Sequence, residues 1–282
     1  MQFEVKTPHF KYILSIKESF TPHQYTFFVG DKTNKCLEAI MMMPDVEDRF
    51  KDEIKTVQLT RIDALDACIL SEQDSEDESF GTELLYSFIN ILKANYSYVK
   101  YLRLYDVSYI PCNRDLNQTL DLLTYDIALY GKSWYEMKAG AHLETPKLNK
   151  KYEDEIKIWM SDIIKKKYTF DTWKDYVFIQ NTDAKELILF NEMSVKDAWD
   201  TSPTFPIFFK KISKIVTKEN KCIFFKTWLQ EFIKLYVHIE RTWIIDIDKN
   251  ETLKNVLNIS EKKPMRASAT KTRKTTRIAQ KT

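Results

Sequence analysis

The stretch from Val57 to Tyr105 constrains the fold most strongly, because two segments typical of strands flank one with helical periodicity. Val57–Leu70 is rich in β-branched and aliphatic residues and lacks glycine and proline, which favours a strand. Thr82–Ala94 repeats apolar residues at helical spacing, and Val99–Tyr105 is again short and apolar. Strand, helix and strand within about 50 residues predict a crossover that joins two parallel strands.

Gly81 lies where the loop after the first strand enters this helix. The first backbone N–H groups of a helix have no partner within it, and they can hold an anion such as a phosphate. The sequence therefore places a candidate phosphate site at the start of the helix.

The segment SFGTELL, residues 79–85, resembles the core of the GNAT N-acetyltransferase superfamily. In that family a loop of the form Q/R-x-x-G-x-G/A binds the pyrophosphate of acetyl-CoA through backbone amides, and two leucines commonly follow. The loop corresponds here to residues 76–81. Gly81 and the leucines after it match the pattern, whereas Glu76 and Ser79 depart from it. The resemblance covers residues 55–145.

Membership of the GNAT superfamily would imply an α+β fold with a mixed sheet and flanking helices, and transfer of an acetyl group from acetyl-CoA to an amine. It implies a cofactor loop made of Ser79, Phe80, Gly81 and Thr82. The segment YGKSWYEMKAGAHL, residues 130–143, is similar to the family's Tyr-x-x-x-Gly-Phe segment. That similarity implies Tyr135 as general acid, with Tyr130 as the alternative. His142, beside the same segment, is a candidate base.

The residues alone leave a structural interpretation of YGKSWYE open, in which Gly131 ends a helix and Trp134 fills the core. The segment from Ser108 to Glu136 is also similar to uncharacterised proteins of large cytoplasmic DNA viruses, where a YGKTWYE-like string follows the same strand and helix. This second similarity implies a viral protein in the host cytoplasm or nucleus, or in the virion. It implies no particular reaction or ligand.

An acidic loop precedes the candidate phosphate site, with carboxylates at Glu72, Asp74, Glu76, Asp77 and Glu78. Two unit charges about 6 Å apart interact by about 3 kcal/mol at an effective dielectric constant near 20, and the sign opposes a pyrophosphate. Three interpretations remain open. The loop is solvated and its charges favour the helix start, or it belongs to a diverged acetyl-CoA site, or it binds a cation or a basic partner.

The segment before the crossover predicts β structure. Alternate residues from Phe10 to Ile16 are apolar, as on a half-buried strand, and Tyr25–Val29 and Cys36–Met43 flank a polar turn. These strands complete a GNAT-like domain over residues 1–145. GNAT domains usually place helices between the first strand and the hairpin, and only Lys17–Gln24 is available for them.

Residues 146–260 predict a helical domain. Apolar residues recur at helical spacing in four segments, which are Tyr152–Lys166, Trp173–Phe178, Phe205–Val216 and Cys222–Ile239. Five of the six tryptophans lie in this region. Aromatic residues at such spacing usually form a core, and a docking groove for a protein partner is the alternative.

Residues 261–282 predict a disordered basic tail, because they combine few apolar residues with one dominant sign of charge. From residue 262 onward no acidic residue occurs, although the whole chain carries a net charge of only +2. The basic residues, which can neutralise nucleic-acid phosphates, are Lys262, Lys263, Arg266, Lys271, Arg273, Lys274, Arg277 and Lys281. Binding of nucleic acid or an acidic partner, a nuclear address, and an incidental end remain open.

The four cysteines are widely spaced and have no histidine cluster beside them. We therefore expect reduced intracellular thiols, and neither a zinc site nor a disulfide framework. The sequence shows no N-terminal signal and no apolar run of the roughly 20 residues that span a bilayer, so we expect no membrane partner.

Overall fold

The structure is a computed structural model, and it describes residues 2–7, 10–20, 23–30, 35–42, 55–62, 71–72, 80–113, 118–217 and 220–248. Residues 73–79 of the acidic loop, among them Ser79, lie outside this part of the chain. The whole basic tail also lies outside it.

The strands are β1 (Gln2–Lys6), β2 (Phe10–Phe20), β3 (His23–Gly30), β4 (Lys35–Met42), β5 (Thr56–Ile62), β6 (Ser71–Glu72), β7 (Tyr101–Tyr105), β8 (Tyr109–Asn113), β9 (Gln118–Asp121), β10 (His142–Leu143) and β11 (Thr242–Asp246). The main sheet has the order β1-β2-β3-β4-β5-β7-β11-β10, with β6 paired to β2, while β8 and β9 form a separate hairpin. Strands β5 and β7 are parallel, and the other pairs along the path are antiparallel, so the sheet is mixed.

The helices are α1 (Phe80–Asn95), α2 (Leu122–Tyr130), α3 (Trp134–Ala139), α4 (Pro146–Met160), α5 (Phe170–Gln180), α6 (Thr182–Phe190), α7 (Glu192–Asp200), α8 (Phe205–Ile215) and α9 (Lys221–Lys234). The prediction of an α+β fold with a mixed sheet is therefore confirmed. Within the described residues, no helix is long and apolar enough to cross a membrane.

The predicted crossover is confirmed, because β5 and β7 are neighbouring parallel strands joined through α1. Helix α1 buries its apolar face on the sheet, and the ring of Phe88 packs edge-on against Phe27 of β3 at 5.5 Å. Strand β5 is described to Ile62, so the rest of the predicted strand, residues 63–70, lies outside the described residues.

The predicted strands ahead of the crossover are also confirmed. Strand β2 pairs directly with β3, from Leu14↔Val29 to Phe20↔His23. Only two residues separate these strands, which leaves no room for the helices that GNAT domains usually carry there. Phe10–Phe20 is therefore a strand, as predicted, but it is not the first one, because β1 (Gln2–Lys6) precedes it and pairs with it.

One element of the C-terminal half was not predicted. Thr242–Asp246 forms β11, which lies between β7 and β10 in the main sheet rather than in a helix. Its apolar core, Trp243–Ile245, is too short for its periodicity to distinguish strand from helix. Helices α4 to α9 are therefore inserted between two strands, β10 and β11, that are neighbours in the sheet.

The aromatic residues of the inserted helices form core, as the spacing indicated. Trp159, Trp173 and Trp228 are fully buried. The ring of Trp173 packs edge-on against Phe208 at 4.8 Å. A single buried apolar cluster includes these residues together with those beneath the sheet.

The expectation of reduced thiols is wrong for the two cysteines whose side chains are described. Cys36 and Cys222 are both disulfide-bonded, and both are buried. Sequence spacing did not reveal this, because disulfide geometry depends on proximity in space.

Candidate active site

A cleft opens where the parallel strands β5 and β7 stop pairing. Their pairing ends at Leu59↔Leu104, although β5 continues to Ile62. The cavity between the strand ends has a volume of about 170 Å³. It is lined by Leu59, Thr60, Arg61, Ile62, Leu104, Tyr105, Val107, Ser108, Tyr109 and Tyr135.

A bulge in β5 accounts for this separation. Glu38 of β4 pairs with Arg61 and Ala39 pairs with Leu59, so Thr60 is an extra residue on β5. An extra residue bends its strand and increases the local twist. The Thr60 hydroxyl donates to the carbonyl of Glu38 at 3.0 Å, which ties the bulge to β4.

Helix α1 begins near the carboxyl ends of β5 and β7, where the cleft opens. Only residues 96–100 connect the end of α1 to the start of β7, so α1 runs antiparallel to both strands. Its amino end, with Phe80, Gly81 and Thr82, therefore lies toward the carboxyl ends of β5 and β7. A Cβ atom built on Gly81 would meet nothing within 4 Å, so the fold itself does not require glycine there.

The YGKSWYE segment places Tyr135 in the cleft by ending one helix and starting another. Gly131 closes α2 with a left-handed backbone, φ +66°. Ser133 then caps α3, since its hydroxyl accepts from the Glu136 N–H at 3.1 Å while the Glu136 carboxylate accepts from the Ser133 N–H at 2.7 Å. The helix-end interpretation is confirmed for Gly131. The deeply buried ring of the segment, however, is Tyr135 at 5% exposure, with Trp134 only partly buried.

Close packing and a left-handed backbone both disfavour a side chain at Gly131. A Cβ atom at this position would lie 2.7 Å from the sulfur of Met160, and the positive φ disfavours any L side chain. The turn before Tyr135 therefore packs against helix α4, to which Met160 belongs.

On the side of the cleft formed by Ser108, a buried carboxylate stabilises the backbone. Asp106 follows β7 with 0% exposure, and its Oδ1 accepts from both the N–H and the hydroxyl of Ser108, at 2.9 and 2.5 Å. The Asp106 backbone donates to the Arg241 carbonyl at 2.7 Å and accepts from the Arg241 guanidinium at 2.8 Å. Burial raises the pKa of Asp106, against the lowering effect of the Ser108 hydrogen bonds.

A second buried acid lies behind this wall. Asp126 of α2 is 6% exposed. Burial, together with the neighbouring charge of Asp106, raises its pKa to about 7, while Lys138 acts in the opposite direction. Arg241 does not neutralise Asp126, because its guanidinium is engaged with both carboxylate oxygens of Asp121, at 3.1 and 3.3 Å.

The other sequence candidates lie elsewhere. His142 is in β10, which β11 separates from β7, and its Nδ1 lies 2.9 Å from the carbonyl of Leu143. It does not line the cleft. Tyr130 ends α2 with its ring 4.7 Å from the Lys210 ammonium, also away from the cleft lining.

No sequence pattern pointed directly to Thr60, Asp106, Ser108 or Asp126. The Asp-Val-Ser string at residues 106–108 was visible only as an end to the strand. A hydrogen bond from an aspartate side chain to the residue two positions later defines a known type of turn, and this pattern could have indicated that Asp106 and Ser108 meet.

No protein-family model, curated protein or solved structure matches this chain.

Proposed function

We propose that the protein transfers an acetyl group from acetyl-CoA to an amine, as its resemblance to the GNAT superfamily implies. The observation that carries this proposal is the cleft between the ends of the parallel strands β5 and β7, with Tyr135 in its lining. The amino end of α1 lies toward the same strand ends, where its amides can receive a pyrophosphate.

The cleft suits the reacting end of the cosubstrate. Its volume of about 170 Å³ is below the roughly 300–1,000 Å³ of sites that enclose a whole small molecule, so it accommodates the thioester and leaves the nucleotide outside. Beyond Leu59, the edge of β5 no longer pairs with β7. Such an edge can bind the amide groups of an extended pantetheine arm as a neighbouring strand would.

In the proposed reaction, Tyr135 acts as the general acid. Acetyl-CoA supplies an activated acyl carbon. The Tyr135 hydroxyl donates its proton to the departing sulfur as the nitrogen–carbon bond forms and the carbon–sulfur bond breaks. The proton lost by the nitrogen returns to the Tyr135 oxygen, so one proton moves from nitrogen to sulfur. At 5% exposure, Tyr135 is shielded from competing water.

The first test is stabilisation of the purified protein by acetyl-CoA, since a ligand at 100 times its Kd adds about 2.7 kcal/mol to the apparent stability. Gly81→Ala is the sharpest variant. It meets nothing within 4 Å in the fold but adds a methyl group where the pyrophosphate must approach. We expect an unchanged or higher Tm without ligand, and a lost shift with it. Tyr135→Phe should keep the shift and lose turnover. Absence of any shift with wild-type protein at millimolar acetyl-CoA would refute the proposal.

A second candidate is that the fold is catalytically inactive and that the protein serves as a viral interaction or virion protein whose basic tail binds nucleic acid. The charge of the tail supports it, with basic residues from Lys262 to Lys281 and no acidic ones among them. Truncation after residue 261 should lower the affinity for duplex DNA and flatten the dependence of its logarithm on salt concentration. An unchanged salt slope would exclude binding through the tail.

A further inference from the structure

Two aliphatic side-chain hydroxyls line the cleft beside those of its tyrosines, and the two have different hydrogen-bond acceptors. The Thr60 hydroxyl donates to a backbone carbonyl, that of Glu38. The Ser108 hydroxyl donates to a carboxylate, that of Asp106. A carboxylate can accept the proton outright, whereas a backbone carbonyl cannot, so the two hydroxyls have different chemistry.

We propose that Ser108 and Asp106 form a proton relay that deprotonates the amine substrate in the cleft. This inference rests on the proposed acetyl transfer. Ser108 lines the cleft and can touch the substrate. Asp106 has 0% exposure, and its hydrogen bond from the Ser108 hydroxyl connects it to the cleft.

The reaction needs such a base, because an alkylamine with a pKa of roughly 10 is an ammonium ion near neutral pH and has no free electron pair. In the relay, the ammonium gives a proton to the Ser108 oxygen while the Ser108 proton moves to Asp106. The products are a neutral amine and a neutral carboxylic acid. One proton is transferred, and no other reactant is required.

The surroundings of Asp106 favour its acceptance of this proton. The relay delivers the proton to Oδ1 of Asp106, the oxygen that accepts from the Ser108 hydroxyl. The buried Oδ2 has no hydrogen-bond partner among the described residues, so no bond at that atom stabilises the ionised form. The charges that face it are Asp121 of β9, Arg241 before β11 and Asp126 of α2. Burial raises the pKa of Asp106, and Asp121 adds to this while Arg241 opposes it. A base with a raised pKa matches a neutral working pH better than an ordinary aspartate.

The kinetic test compares two small probe amines with acetyl-CoA as donor. Ethylamine is protonated near neutral pH and needs the relay, whereas hydroxylamine is mostly neutral and does not. Ser108→Ala and Asp106→Asn should each lower kcat/KM for ethylamine by about 10²–10⁴-fold, with a much smaller loss for hydroxylamine. Asp106→Asn keeps an oxygen for the two Ser108 bonds, which preserves the turn. The double variant should lose no more than either single one, because both residues serve one step.

Thr60→Val is the matched control, since it removes the other aliphatic hydroxyl of the cleft. It should leave the pH dependence of kcat/KM and the ratio between the two amines at their wild-type values. Equal losses for both amines in Ser108→Ala would overturn the relay, because a purely structural defect affects both probes alike.

A second measurement does not depend on turnover. In protein labelled with ¹³C at the aspartate carboxyls, the Asp106 resonance is assigned by its absence in Asp106→Asn. Ser108→Ala should raise the titration midpoint of Asp106, because a bond that stabilises the carboxylate is lost. An unchanged midpoint overturns the relay even if acetyl-CoA binds. A shifted midpoint in a protein that acetyl-CoA does not stabilise keeps the Ser108–Asp106 pair but overturns both the acetyl transfer and the relay's part in it.

Discussion

Replacing Asp126 by asparagine should remove a pH-dependent cost of folding. Asp126 is 6% exposed on α2, and its pKa is raised from 3.8 to about 7, by burial first and by Asp106 second. The folded protein therefore binds this proton more tightly than the unfolded chain does. The contribution of Asp126 to stability thus falls as pH rises from about 4 to about 7, and above that range its ionisation costs the folded state in full.

The magnitude follows from the two pKa values. A shift of about three units corresponds to about 4 kcal/mol above neutral pH, and about 2–3 kcal/mol of this accumulates between pH 5 and pH 8. An asparagine in the same place has its own cost of about 1–3 kcal/mol, because its amide also needs partners. That cost does not vary with pH. The informative quantity is therefore the change in the mutational effect between the two pH values.

The assay is urea unfolding of wild type and Asp126→Asn at both pH values. We expect the variant to gain about 2–3 kcal/mol relative to wild type on going from pH 5 to pH 8. Asp154→Asn is the control, because Asp154 lies on the surface in an ion pair with Lys157, where such pairs contribute about 0–1 kcal/mol. A variant whose stability follows the wild-type pH dependence would show that Asp126 is already ionised without cost, and the reasoning would be refuted.

Three further changes test the structure elsewhere. Gly131→Ala should destabilise the protein by about 1–3 kcal/mol through its left-handed backbone and close packing, whereas Gly81→Ala should not, and equal Tm values would contradict this. Ser133→Ala removes the cap of α3 and should cost about 0.5–2 kcal/mol in chemical unfolding. Cys36 and Cys222 should resist alkylation in unfolded, unreduced protein, and reduction should cost about 2–5 kcal/mol. Prompt labelling of either cysteine would contradict the disulfides.

The parts of the fold that were predictable are those determined by short, local sequence patterns. The crossover was visible because α1 carries its apolar residues on one face and its flanking segments are rich in β-branched and aliphatic residues. Gly131 was recognisable as a helix end for the same reason, since a left-handed cap favours glycine at a single position. These features need no knowledge of distant residues.

The features that define the cleft depend on distant pairings. Strand β11 pairs with β7, which precedes it by more than 130 residues. The five residues of β11 alone do not allow this pairing to be predicted. The bulge at Thr60 exists only in relation to β4. The raised pKa values of Asp106 and Asp126 arise from burial by elements that the chain adds later, among them Arg241. Local periodicity contains none of this.

Structure and proposed chemistry share the same residues on both walls of the cleft, and this determines which variants are informative. Gly131 and Ser133 position Tyr135, so a loss of turnover in their variants would say nothing about proton transfer. Tyr135→Phe and Ser108→Ala instead remove single hydroxyls and leave the backbone turns intact. If the cleft is a site of acetyl transfer, these two variants should fail in different ways. Without Tyr135, transfer to ethylamine and to hydroxylamine should slow alike, because sulfur must be protonated in both cases, whereas without Ser108 only the ethylamine reaction should slow strongly.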